Sequence, residues 1–293
     1  MPDAGIPVTD LTGVSQTALI PLVARAQART LFPDLGFADP AAERVLGRLD
    51  VDPARLGGHV PTLRGAIIRA QAFDRIAAAF AAAHPDGLAV SLGAGLDTRA
   101  ERVPAGLAWA NVDLPAMAGL RERLLPPTAR QRVVAGSVTD PAWAGQVGWE
   151  PGRPLLLLAE AVLLYLPPAE VRAFLARLPA QFSTGAEIAF DYAAPVMARN
   201  SGRHPALRNT EARFQWGARG ARRIAKQDRG LRVLADRNLA QAATFPGPGG
   251  LVLAAASRSL RLAAGGWLYG LAHLRLEPAT GGAGAIPDRG GAT

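Results

Sequence analysis

Residues 89–103 read AVSLGAGLDTRAERV. An apolar run ends in Gly93 and Gly95, one residue apart, and Asp97 and Arg99 follow. A strand that ends in a glycine turn and opens a helix brings backbone close to a ligand and aims the helix N-terminus at it. The pattern therefore predicts a nucleoside-binding turn. A dinucleotide fingerprint needs a third glycine three residues on, where the helix packs against the strand; position 98 is Thr. The glycine pair alone speaks weakly for a nicotinamide cofactor and fits better a turn that carries no pyrophosphate.

Outward from this turn, the chain alternates short apolar runs with helical segments, the signature of buried parallel strands joined by crossovers. Runs at 88–93, 107–113, 132–137, 155–160 and 186–193 read as five successive strands, and 231–239 and 267–276 as a sixth and seventh. Helices are expected over 167–182, where Pro167 and Pro168 sit in the first turn, and around 251–264. Upstream, 15–30 reads as a helix with Ser15 near its N-cap, a second helix starts at Pro40, and 61–84 is a longer one with Ile67, Phe73, Ile76 and Phe80 on its apolar face. The fold class is α/β: a doubly wound, mostly parallel seven-stranded sheet with helices on both faces, closed by an antiparallel hairpin and preceded by a helical cap. Residues 1–60 form the cap or extension, 61–278 the main domain, and the Gly-rich 279–293 a disordered tail.

The chain has 293 residues, no cysteine and four histidines without ligand spacing, which argues against thiolate zinc sites and predicts no metal. No secretory h-region precedes Arg25, and the longest apolar stretch is broken by Glu160 and falls short of the roughly 20 residues a span needs. A cytoplasmic protein without a membrane partner is expected. The net charge of +8 resides between Arg199 and Arg237, where 11 basic residues face three acidic ones. Nucleic acid is disfavoured as a partner, because stacking aromatics are few there.

Asp113 lies 18 residues after Gly95, at the end of the second strand, where an acid accepts hydrogen bonds from both ribose hydroxyls. NAD and S-adenosylmethionine binders share that position. With SLGAGLDTR (91–99) come VDLPAM (112–117), RERLL (121–125), SVTDPAW (137–143) and LLAEAVLLYLPPAEV (157–171), and in this order the motifs resemble the leucine carboxyl methyltransferase family, including its bacterial polyketide O-methyltransferases. The likeness extends over about residues 14–276. It implies a class I methyltransferase (Rossmann-like) fold and S-adenosyl-L-methionine as cofactor.

Carried over by position, the resemblance assigns Arg69 of IIRAQAFD to the methionyl carboxylate, which a guanidinium fork suits. Gly93, Ala94 and Gly95 would allow backbone approach, Asp113 with Leu114 would hold the ribose, and Ser137 with Val138 would flank the adenine. Ser137 stands where the family often has an acid. Glu160 would face the methionyl end, and Ala161 follows it where Gly is common. Asp97 and Arg99 are expected to pair and pin the turn, and Tyr165 to pack. Residues 199–230 would form a basic lid over the substrate.

Methyl transfer is an in-line displacement that depends on near-attack geometry. A carboxylate acceptor needs no base, whereas a hydroxyl does, and His204, Asp191 and Tyr192 are the candidates. The expected activity is O-methylation of a carboxylate or phenolic hydroxyl on a small, polyketide-like metabolite. The basic segment would orient an acidic or phenolic acceptor or dock an acidic carrier protein. Two alternatives stand beside it: protein C-terminal carboxyl methylation, and a non-catalytic binding module that keeps the fold.

Overall fold

The computed structural model describes residues 5–8, 13–56, 59–103, 106–203, 212–227, 230–240 and 247–278. The apolar runs form a seven-stranded sheet in the order β3-β2-β1-β4-β5-β7-β6. Its strands are β1 (Leu88–Leu92), β2 (Ala108–Asp113), β3 (Gln131–Ala135), β4 (Leu155–Ala159), β5 (Ala186–Ala193), β6 (Leu231–Asn238) and β7 (Tyr269–Leu276). β1 to β5 pair in parallel, while β7 runs antiparallel to both β5 and β6. Every residue of β1 and β4 is buried, which is why both read as unbroken apolar runs.

The helices of the described residues are α1 (Leu19–Ala26), α2 (Ala28–Leu31), α3 (Pro40–Gly47), α4 (Pro53–Leu56), α5 (Val60–Ala83), α6 (Arg99–Arg102), α7 (Pro115–Leu124), α8 (Pro168–Gln181), α9 (Pro195–Arg199), α10 (Ala221–Ala225) and α11 (Pro248–Ala264). They cover both faces. On one side Phe174 and Phe182 from the α8 region pack with Trp143 over Val90, Leu157 and Ile188. On the other, Phe73, Ile76 and Phe80 of α5 pack over Ala89, Leu156 and Leu158. The cap is docked through Leu22, Val45, Leu120 and Leu124, and through Phe32, Leu63 and Ile67.

The first helix departs from expectation. Gly13–Ala18 is a 3₁₀ turn that contains Ser15, α1 begins only at Leu19, and the helix breaks at Gln27 before α2. Pro21 accounts for the late start: it lacks an N–H and fits only within a first turn, and α1 begins two residues before it. Asp39 does cap α3, accepting the Ala42 N–H at 3.0 Å. The expected tail, 279–293, lies outside the described residues.

Strand order reverses between β1 and β4, and ligands of such sheets bind in the crevice beyond the carboxyl ends at that point. A cavity of about 980 Å³ opens there, roofed by the N-terminal cap on one side and by α9 and α11 on the other.

Candidate active site

Three chain features build the floor of this cavity. After β1 the backbone turns through Gly93 and Gly95, with φ of +60° and +48°. A Cβ on Gly93 would lie 2.5 Å from Val162 Cγ2, so no side chain fits there. At the end of β2, Asp113 accepts the Gly95 N–H at 2.6 Å through Oδ2 and the Leu114 N–H at 2.7 Å through Oδ1. Each carboxylate oxygen keeps a lone pair for a further donor. Burial raises the Asp113 pKa, against the pull of those two N–H groups. At the end of β3, Ser137 and Val138 lie in the cavity wall, and Arg177 of α8 fixes their loop by donating to the carbonyls of Val138 (2.5 Å) and Thr139 (2.7 Å).

The fourth feature is an arginine–carboxylate network. Glu160, just past β4, accepts from Arg69 Nε at 2.8 Å and from Arg99 Nη2 at 2.5 Å. Burial pushes the Glu160 carboxyl up, but Arg99 and Arg69 overcome this and hold it below its ordinary value. Arg99 also binds Asp74 at 2.7 Å and pairs with Asp97, both through its side chain and by its backbone N–H at 3.1 Å. The expected Asp97–Arg99 pair does pin the turn. Thr98, which takes the place of the third glycine, is 2% exposed and donates to Asp39 at 2.5 Å; Arg25 and Arg102 bind the same carboxylate. Through Asp39 the helical cap is tied to the turn that follows β1, which explains a hydroxyl at that position.

All nine residues assigned to cofactor contact by resemblance (Arg69, Gly93, Ala94, Gly95, Asp113, Leu114, Ser137, Val138 and Glu160) line this one cavity. Two of the three candidate bases, Asp191 and Tyr192, do not. Asp191 and Tyr192 are neighbours on β5 and point to opposite faces. Both are 0% exposed and neither lines the cavity. Asp191 accepts the Ala161 N–H at 2.6 Å and the Tyr269 hydroxyl. Tyr192 lies over Gly270, where its ring leaves no room for a Cβ, and donates to Asp236 at 2.7 Å. His204 lies outside the described residues. Tyr165 packs edge-on against Phe214, and burial raises its pKa, so its hydroxyl keeps its proton.

Tyr269 was not singled out in the sequence, yet it lines the cavity and accepts from Arg69 Nη1 at 3.0 Å. Its signal was available: β7 runs antiparallel, so its first residue lies at the same sheet edge as the carboxyl ends of the parallel strands. Of the expected lid, Phe214 lines the cavity, joined by Met197 just before its start, while Arg199 and Arg219 lie on the outer surface.

The residues fit an adenosyl-amino-acid ligand. Arg69 Nη2 makes no hydrogen bond within the described residues and belongs to a side chain in the cavity wall, available to a carboxylate. Asp113 offers acceptors for a diol, and the glycine turn admits a backbone-close ligand. This fold and site define a class I S-adenosylmethionine-dependent methyltransferase. Residues 18–178 match the family model described as leucine carboxyl methyltransferase, and the chain belongs to that family. It is 37% identical over 225 residues to the tetracenomycin polyketide synthesis O-methyltransferase TcmP of Streptomyces glaucescens, covering 76% of this chain and 82% of that one. A candidate S-adenosyl-L-methionine-dependent methyltransferase of Mycolicibacterium vanbaalenii is 32% identical over 157 residues, covering 50% of this chain and 51% of its own length. The crystal structure of a candidate methyltransferase from Thermobifida fusca shares the fold, with a TM-score of 0.56 at 15% identity over 93% of this chain and 97% of that one.

Proposed function

We propose that this enzyme methylates the carboxylate of a small, largely apolar, polyketide-like metabolite. One observation carries the reading: each arginine in the cavity wall is already engaged by a carboxylate, and most of the remaining wall is apolar. Arg25 pairs with Asp39, Arg64 with Asp34, Arg69 with Glu160, and Arg99 with Asp74, Asp97 and Glu160. Around them Ile20, Phe32, Met197, Phe214, Leu253 and Leu268 form the surface.

S-adenosylmethionine supplies, when bound, a methyl group on a sulfonium for in-line displacement. Arg69 would hold the methionyl carboxylate, Asp113 the ribose hydroxyls, and the Ser137–Val138 loop the adenine edge. The apolar wall would strip water from an entering carboxylate, and displacement at a sulfonium neutralises both charges, so weakly solvating surroundings favour the transition state over the separated ions. An arginine bound to the nucleophile would oppose this. A carboxylate also needs no base; among the described residues, Asp191 and Tyr192 are sealed from the cavity, and His59, the N-cap of α5 in the cavity wall, stands ten residues before Arg69, about 15 Å along the helix at 1.5 Å per residue.

The similarity to a polyketide O-methyltransferase supports the acceptor class. Matched polycyclic aromatic acceptors, one with a carboxyl and one with only phenolic hydroxyls, test it with methyl-labelled cofactor. A carboxyl ester releases labelled methanol in mild alkali, whereas an aryl ether does not. Label that is stable to alkali on the preferred acceptor would overturn the carboxylate reading and leave a hydroxyl enzyme.

A further inference from the structure

We propose that the face built from α9, α10 and α11 docks on an anionic lipid surface. The described stretches 195–203, 212–227 and 247–266 contain nine basic residues and no acidic one. Six of these, Arg199, Arg219, Arg222, Arg223, Lys226 and Arg258, are exposed and form no ion pair among the described residues. The arginines around the cavity, by contrast, are all paired.

The same face exposes apolar surface. On α11, Leu251 is 65% exposed, Val252 69% and Leu262 89%, and Val196 of α9 is 43% exposed. Positions 251, 255, 258 and 262 recur at helical spacing, so Leu251, Ala255, Arg258 and Leu262 share one outward side. The inward side of the helix carries Leu253, in the cavity wall, and Ser257, fully buried and bonded to Asn238 at 3.1 Å. A shallow cleft of about 290 Å³, lined by Val196, Arg199, Arg219, Arg223, Leu260 and Ala263, makes the basic rim continuous with the helix.

Leucines that project from a convex helix, rather than lining a groove, suit insertion between lipid headgroups, and the unpaired cations beside them suit anionic phosphates. No helix among the described residues is long and apolar enough to cross a membrane, so the contact would be peripheral. If the acceptor is apolar, as the reading above has it, the docked face would also place the Leu253 side of the cavity beside a lipid phase that holds it. The docking itself does not depend on that reading.

The test is co-sedimentation of the full chain with vesicles of phosphatidylcholine and phosphatidylglycerol, and with vesicles of phosphatidylcholine alone. Variants Leu251→Ser/Leu262→Ser and Arg219→Glu/Arg223→Glu change side chains that do not line the large cavity, and a thermal shift with S-adenosylhomocysteine checks that each remains folded. The wild type should pellet with anionic vesicles in a salt-sensitive way, and each double variant should partition at least about tenfold less. The proposal is overturned if the wild type stays in the supernatant or if the variants partition equally. It is also overturned if light scattering shows a dimer that the leucine variant dissociates, which would assign the face to a second copy of the chain.

Discussion

The Asp191 carboxylate accepts the N–H of Ala161 at 2.6 Å, and Ala161, with φ +54°, is the non-glycine residue of positive φ among the described residues. An alanine in the left-handed region costs about 1–2 kcal/mol relative to ordinary helical geometry, and glycine avoids most of that cost. In this chain a buried acid fixes the strained turn. Ala161→Gly should therefore raise stability by up to about 1 kcal/mol, measured by urea unfolding. Asp191→Ala should cost less in the Ala161→Gly background than alone. Equal costs in both backgrounds would show that the carboxylate does not act by pinning this turn.

Tyr269 sits between Asp191 and Arg69, donating to the first and accepting from the second at 3.0 Å. Burial raises its pKa well above the ordinary value, and the neighbouring Asp191 adds to this, so it stays a neutral donor. Its role is to aim Arg69. Tyr269→Phe should raise the KM for S-adenosylmethionine about tenfold, in line with a lost hydrogen bond to a charged group, with a smaller effect on kcat. A drop in kcat at unchanged KM would place the hydroxyl in the chemistry instead.

Asp113 holds the turn and offers acceptors to the cavity, and Asp113→Asn separates the two roles. An amide oxygen can keep one of the N–H bonds from Gly95 and Leu114 but has no charge and only one accepting atom. The variant should fold and bind S-adenosylhomocysteine about 10- to 100-fold more weakly by calorimetry, as expected for loss of charge-assisted hydrogen bonds. Unchanged affinity would remove Asp113 from the cofactor site.

Much of this architecture is legible in the sequence because it depends on local pattern. β1 and β4 are buried on both faces and read as LAVSL and LLLLA, and the glycine turn and Asp113 follow at strand ends. The network behind them is not legible, because its partners are far apart in the chain: Thr98 reaches Asp39 across 59 residues and Arg69 reaches Glu160 across 91. Asp191 and Tyr192 show a further limit. Their position on β5 suggests a place near the chemistry, but strand alternation sends Tyr192 to the opposite face, and Asp191 is consumed by Ala161 and Tyr269.

Glu187 on β5 gives a pH-dependent test of how the sheet is held. It accepts from Arg275, its direct partner on β7, at 3.0 Å and bonds His273, two residues away on the same face, at 2.9 Å. The His273 hydrogen bond, helped by Arg275, lowers its pKa from the ordinary 4.5 to about 2. A carboxyl depressed in the folded state contributes stability that is complete above its unfolded pKa and is lost as pH falls through the folded one. Asp113 and Asp191, raised by burial, act in the opposite sense: acidification favours their folded forms. The wild-type curve therefore mixes both signs, and the difference between wild type and Glu187→Gln isolates the strand pair. That difference should be about 1–3 kcal/mol at neutral pH and shrink between about pH 4.5 and pH 2. A difference that does not change with pH would mean that Glu187 contributes shape and hydrogen bonding but no charge.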